Sequence, residues 1–178
     1  MKKYLGTVMV AIIAIGISLG VAYWQGLDSF VFAWILNFML MMAVLSFTQM
    51  FRPRLTGAYF QPKSWESEGK VYEWIGLHGF RKLLVWVGWE KLNKAANPVK
   101  KNLEALKHLE YNTRQSEFGH LIIFFIVLAV ALFVGAHQGF RHSLWLHLLN
   151  ILLNLYPIAV QRYNRPRLQK AIRRMNPA

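Results

Sequence analysis

The chain has 178 residues, a mean hydropathy of +0.27, a formal net charge of +13 and no cysteine. The missing thiol excludes disulfides, thiolate zinc sites and a cysteine nucleophile. Hydrophobic residues make up 55% and fall in blocks, so the positive charge reads as membrane topology rather than a nucleic-acid surface.

Taken in chain order, the first block is residues 5–24, preceded by Lys2-Lys3. It resembles a leader in part, but it is long and ends in the interfacial pair Tyr23-Trp24, so a retained signal-anchor helix is expected. The second block is 30–51, the third 118–136 and the fourth 144–160. Each is close to the roughly 20 apolar residues that a span needs. Backbone groups in lipid must pair within their own segment, so all four are expected to be helices. The expected fold is therefore all-α: a polytopic membrane domain covering 1–178, with four transmembrane helices as two tight hairpins.

Between the hairpins lies the segment 52–117. Pro53 and Pro62 predict an extended, turn-rich beginning. Ser64 is placed to cap a helix that starts at Trp65-Glu66, with Ser67 or Glu68 in its first turn. The aromatic run from Tyr72 to Trp89 is broken by Gly76, Gly79, Gly88 and Arg81-Lys82, which suits an interfacial or re-entrant element better than a fifth span. After Asn97-Pro98, the spacing of Leu103, Leu106, Leu109 and Glu110 predicts an amphipathic helix over 99–114.

Lys and Arg are distributed unevenly. Two precede the first block, twelve lie between Arg52 and Arg114, one is Arg141, and six follow from Arg162. The short connections carry only Asp28 and Arg141 among charged residues. The positive-inside rule then puts both termini, the middle segment and the basic tail 161–178 in the cytoplasm, with the protein multi-pass in the cell membrane.

Three islands can carry chemistry. Glu117 and His120, three apart, share a helix face at the mouth of the third span. A carboxylate beside an imidazole suits a general base; alternatively Glu117 pairs with Arg114 and His120 bonds within the bundle. Asn150 and Asn154, four apart in the fourth span, either join helices or help to line a site. They lead into Gln161-Arg162-Tyr163-Asn164-Arg165-Pro166-Arg167, which is either an anchor for anionic head groups or a seat for an anionic substrate. Trp65 and Glu66, with Tyr72, form the third island. No metal site is expected: His137, His142 and His147 lie near the opposite face without ligand spacing to a carboxylate.

The order Ser64-Trp65-Glu66-x-x-Gly69-x-x-Tyr72, then Thr113-Arg114-x-x-Glu117-x-x-His120, then Asn154-x-Tyr156-Pro157-Ile158-x-x-Gln161-Arg162-Tyr163-Asn164-Arg165-Pro166-Arg167 resembles the glycosyl-4,4'-diaponeurosporenoate acyltransferase family, from about Tyr59 to Leu168. The resemblance implies transfer of a fatty acyl group to a sugar hydroxyl of a membrane glycolipid, a glycosylated carotenoid in the family's own pathway. In that setting His120, oriented by Glu117, is the expected base. Arg162, Arg165 and Arg167 are expected to bind donor phosphates. Asn164, Gln161 or Asn154 are expected to donate to the oxyanion, and Glu66, Trp65, Tyr72 and Arg114 are expected to contact substrate. The expected donor is acyl-CoA or acyl carrier protein, with no tightly bound cofactor and no nucleic-acid partner. With neither a cysteine nor a recognisable serine nucleophile, transfer is expected to be direct. The rival reading is a non-catalytic scaffold or lipid-binding subunit whose basic motif binds anionic head groups. A small lipid transporter is disfavoured, because the first and third spans carry almost no polar groups.

Overall fold

The computed structural model describes residues 2–88, 91 and 102–176. Among these residues the protein is helical throughout, without strands. The helices are α1 (Lys2–Gln25), α2 (Phe30–Phe51), α3 (Val71–Trp74), α4 (Leu77–Trp86), α5 (Leu103–Gln138), α6 (Leu144–Asn150) and α7 (Tyr156–Met175). Four stretches are long and apolar enough to cross a membrane: Tyr4–Gln25, Phe30–Phe51, Leu103–Gln138 and Phe140–Met175. This is the all-α, four-span membrane architecture expected from the hydropathy.

The chain divides into two compact units, one made of Met1–Arg54 with Phe118–Pro157 and the other of Leu55–Glu117 with Ile158–Ala178. In the first unit α1 packs along α2. Ser29 caps α2 by accepting from the Phe32 N–H at 3.0 Å, which satisfies one of the donors a helix start leaves open. The core is apolar: Phe32, Ala33 and Leu36 of α2 meet Ile123, Val127, Ala131 and Val134 of α5, and Leu146 and Leu149 of α6. Burying such side chains contributes about 1.5–3 kcal/mol each for the larger ones in water. In lipid, close packing and polar contacts carry the association instead. The outward face of α1, with Leu5, Ile12, Ile15 and Leu19 all exposed, is the surface such a bundle shows to lipid.

The fourth span is not one regular α-helix. A 3₁₀ turn (Phe140–Ser143) leads into α6, a π-helical turn occupies Ile151–Leu155, and α7 follows. Pro157 supplies the physical reason. It has no N–H to give the carbonyl four residues back, that of Leu153, and its ring crowds that carbonyl. The π turn widens the helix just before the proline.

The second unit is built on Leu55, Phe60, Tyr72, Leu77, Phe80, Leu106, Ile158, Ala159 and Tyr163. Its beginning is turn-rich, as Pro53 and Pro62 predict, with a 3₁₀ turn at Ala58–Phe60. Ser64 does not start an α-helix: Ser64–Gly69 is 3₁₀. The cap comes from Glu66, whose Oε2 accepts the Lys63 N–H at 2.7 Å. Gly76, at φ 79°, separates α3 from α4 in the left-handed region that only glycine occupies freely. Trp74 and Trp86 are strongly exposed, which fits the interfacial element expected there. The helix expected over 99–114 begins at Leu103 within the described residues, where the Asn102 Oδ1 accepts the Ala105 N–H. It runs on without a break as α5. Trp89, Asn97-Pro98 and the first residues of that expectation lie outside the described residues.

Candidate functional site

Two buried polar clusters stand out, one in each unit. In the first unit the centre is Asn154, which the π turn carries and which is 1% exposed. Its Nδ2 donates to the Asn37 Oδ1 at 2.7 Å and to the Asn150 Oδ1 at 2.9 Å. Its Oδ1 faces the His120 Nδ1 at 3.2 Å. The direction of every amide is forced. Asn37 Nδ2 donates to the Ala33 carbonyl at 2.8 Å, and Asn150 Nδ2 donates to the Phe124 carbonyl at 3.0 Å. A backbone carbonyl only accepts, so both of these asparagines turn their own oxygens to Asn154. Asn154 must then present its NH₂ to them and its oxygen to the histidine. The Nδ1 of His120 therefore carries a proton, and in the neutral ring the lone pair sits on Nε2.

The Leu153 carbonyl is the one that Pro157 deprives of its helical donor. The turn before Pro157 thus serves His120 through Asn154. Gly119, beside His120, lies where an added Cβ would stand 3.4 Å from a Val44 methyl, so α2 packs close at this level.

In the second unit the cluster is ionic. Arg162 donates from Nε to the Glu117 Oε1 at 2.7 Å, from one terminal nitrogen to the Glu66 Oε1 at 2.6 Å, and from the other to the Tyr59 carbonyl at 2.8 Å. Arg165 donates to the Thr113 hydroxyl at 3.0 Å, the Phe60 carbonyl at 2.9 Å and the Glu117 Oε2 at 2.5 Å. Tyr72 donates its hydroxyl to the Glu66 Oε1 at 2.5 Å. Two carboxylates and two guanidinia balance one another, and every guanidinium nitrogen has a partner, which is what burial of such charges requires. The face of the Tyr59 ring lies 4.6 Å from the Arg162 guanidinium carbon, a cation–π contact.

Burial pushes the Glu66 carboxyl up, but the bonds from Tyr72, the Lys63 N–H and Arg162 outweigh it and hold the group below its ordinary value. Burial and the neighbouring Glu66 raise the Tyr72 phenol far above its ordinary value, so it stays a donor. Burial, and after it the charge of Glu117, also raises the Tyr59 phenol.

These contacts correct several expectations. The partner of His120 in this structure is an amide and not the Glu117 carboxylate, whose two oxygens are taken by guanidinia. Two cations compete for a buried carboxylate far better than a neutral imidazole does. Arg114 does not pair with Glu117 either; it binds the Glu110 Oε1 one turn away at 2.6 Å and the Leu55 carbonyl at 2.9 Å. Arg162 and Arg165 point inward, with every guanidinium nitrogen already bonded to a protein group. Arg167 is exposed, and its guanidinium lies 3.6 Å over the Tyr163 ring. Asn154 has both N–H groups engaged and is not placed to donate to an oxyanion. Gln161 and Asn164 are half-buried, and Trp65 is largely exposed beside Tyr72.

Gly69, part of the first island, has a physical reason to be glycine. Its φ is +93°, and a Cβ would lie 3.1 Å from the Tyr163 Cα and carbonyl and from the Arg167 guanidinium. Sequence reasoning missed Asn37 and Tyr59. A lone asparagine amid the apolar residues 30–45 was a usable signal for Asn37, since amides in a span seek partners. Tyr59 acts through its carbonyl and its ring, and offered none.

Among the described residues no group of His, Asp and Glu is arranged to hold a metal ion. The helices and the buried polar clusters define a polytopic helical membrane protein with ionisable groups held inside it. A family model described as glycosyl-4,4'-diaponeurosporenoate acyltransferase matches residues 56–174, and the chain belongs to that family. No curated protein and no solved structure shows a significant match.

Proposed function

We propose that the protein transfers a fatty acyl group from a thioester to a sugar hydroxyl of a membrane glycolipid, with His120 as the general base. The family supports the acyl-transfer class. The acceptor in the family's description, a glycosyl diaponeurosporenoate, makes a glycosylated carotenoid acid the first acceptor to test. The observation that carries the choice of base is the amide relay from Ala33 and Phe124 through Asn37, Asn150 and Asn154. It puts the proton on Nδ1 of His120 and leaves Nε2 as the basic atom.

In the proposed step, Nε2 takes the hydroxyl proton as the sugar oxygen bonds to the thioester carbonyl carbon. The carbon–sulfur bond then breaks, and the departing thiolate recovers the proton from the imidazolium. No acyl-enzyme is needed. Asn154 replaces Glu117 as the orienting partner, and Glu117, Glu66, Arg162 and Arg165 hold their unit together. Gln161, Asn164, Arg167, Trp65 and Arg114 remain proposed substrate contacts. The charge distribution supports a cytoplasmic location for both termini and for residues 52–117, where thioester donors are made.

The test is acyl transfer by the protein in lipid nanodiscs, with the product identified by mass spectrometry. His120→Ala is expected to lower kcat by about 10²–10⁴-fold while the variant still folds and inserts in the membrane. Full activity in His120→Ala removes His120 as the base.

A further inference from the structure

Outside the buried clusters, the second unit carries a cationic groove, and Arg167 is the one lining residue that the proposed chemistry already names. One cavity of about 450 Å³ is lined by the segment from Gln61 to Ser64 and by Pro166, Gln169, Lys170 and Arg173 of α7. A neighbouring cavity of about 230 Å³ is lined by Lys70, Pro166, Arg167 and Lys170, so Pro166 and Lys170 form a shared wall. Lys63, Lys70, Arg167, Lys170 and Arg173 bring five positive charges here from separate segments, and no carboxylate is among the described lining residues. Lys63 is held in place by a 2.6 Å bond from its Nζ to the Ala58 carbonyl. Lys70, Lys170 and Arg173 are exposed.

We propose that this groove binds the phosphorylated nucleoside of a coenzyme A thioester. The inference rests on the thioester-donor reading above and assigns the donor's handle to residues other than the arginines turned inward. Three features favour this ligand over a bare phosphate or a lipid head group. The larger cavity falls within the roughly 300–1,000 Å³ typical of small-ligand sites. The cations are spread along it, as the separate 3'-phosphate and diphosphate of this nucleotide require. Pro62 and Pro166 add apolar walls, and Ser64 and the amide oxygen of Gln169, whose nitrogen donates to the Glu110 Oε1 at 3.0 Å, add neutral hydrogen-bonding groups that suit a sugar and a base. Lysine serves phosphate as a mobile point charge.

The experiment is calorimetric titration of coenzyme A into the full chain in phosphatidylcholine nanodiscs, repeated with 3'-dephospho-coenzyme A and with inorganic phosphate. Saturable coenzyme A binding is expected, weakened about tenfold or more by Lys170→Glu and by Arg173→Glu. Lys170→Arg is expected to bind as the parent does, and removal of the 3'-phosphate to weaken binding. No binding of coenzyme A, or binding that Lys170→Glu leaves unchanged, overturns the proposal. So does a groove that responds only to the phosphatidylglycerol content of the disc, the result for a head-group anchor, and so does transfer that proceeds solely from acyl carrier protein. Coenzyme A binding that is lost in these variants supports the groove even if no acyl transfer is found, which separates its fate from that of the reaction.

Discussion

The polar cluster of the first unit is built from neutral groups, and that of the second from ions. In the first, three asparagines and a histidine form a relay that ends on two backbone carbonyls. Each member fixes the next by hydrogen-bond direction alone, and no charge is buried among apolar helices. In the second, two glutamates and two arginines are nearly fully buried, and they are stable there only as a balanced set. A neutral relay tolerates trimming and selects a protonation state. An ionic set resists trimming and clamps segments distant in sequence, because removing one member leaves another charge unpaired.

The sharpest way to break this contrast is Glu117→Ala. It strips Arg162 and Arg165 of their shared carboxylate and is expected to cost about 3–5 kcal/mol, seen as a large drop in unfolding temperature in detergent. Activity lost in that variant would report unfolding, so a stability-matched comparison is needed before Glu117 is given a catalytic part. A variant as stable as the parent would show the ionic set to be incidental.

Asn37→Leu probes the other side. It removes one acceptor of Asn154 and is expected to cost about 0.6–2 kcal/mol. Asn154 can then flip its amide, so a fall in kcat with little change in KM is expected. Unchanged kcat would show that the relay does not set the state of His120.

The smallest expected effect is on pH dependence. Glu66 is held below its ordinary carboxylate value. Its contribution to stability is therefore fully present above that ordinary value of 4.5 and is lost as pH falls through the lower folded value. Glu66→Gln is expected to flatten the acid limb of a stability–pH curve measured below about pH 4.5. An acid limb identical to the parent's would remove Glu66 from the set.

Much of this protein was legible in its residues alone. Four apolar blocks fixed the helical membrane class, because a bilayer leaves the backbone no alternative to internal pairing. The three islands from Ser64 to Arg167 pointed to the family. The direction in which each polar side chain points was not legible. Arg162, Arg165 and Arg167 look alike along the chain, yet two are buried against carboxylates and one lies over Tyr163. Glu117 and His120 share a helix face, yet each bonds to residues far away in sequence. Arg162 meets Glu66 across 96 positions, and Asn154 meets Asn37 across 117. Local spacing sets which face a residue occupies. Only the packed chain decides which opposite charge or matching amide arrives at that face, and that arrival separates a clamp from a base.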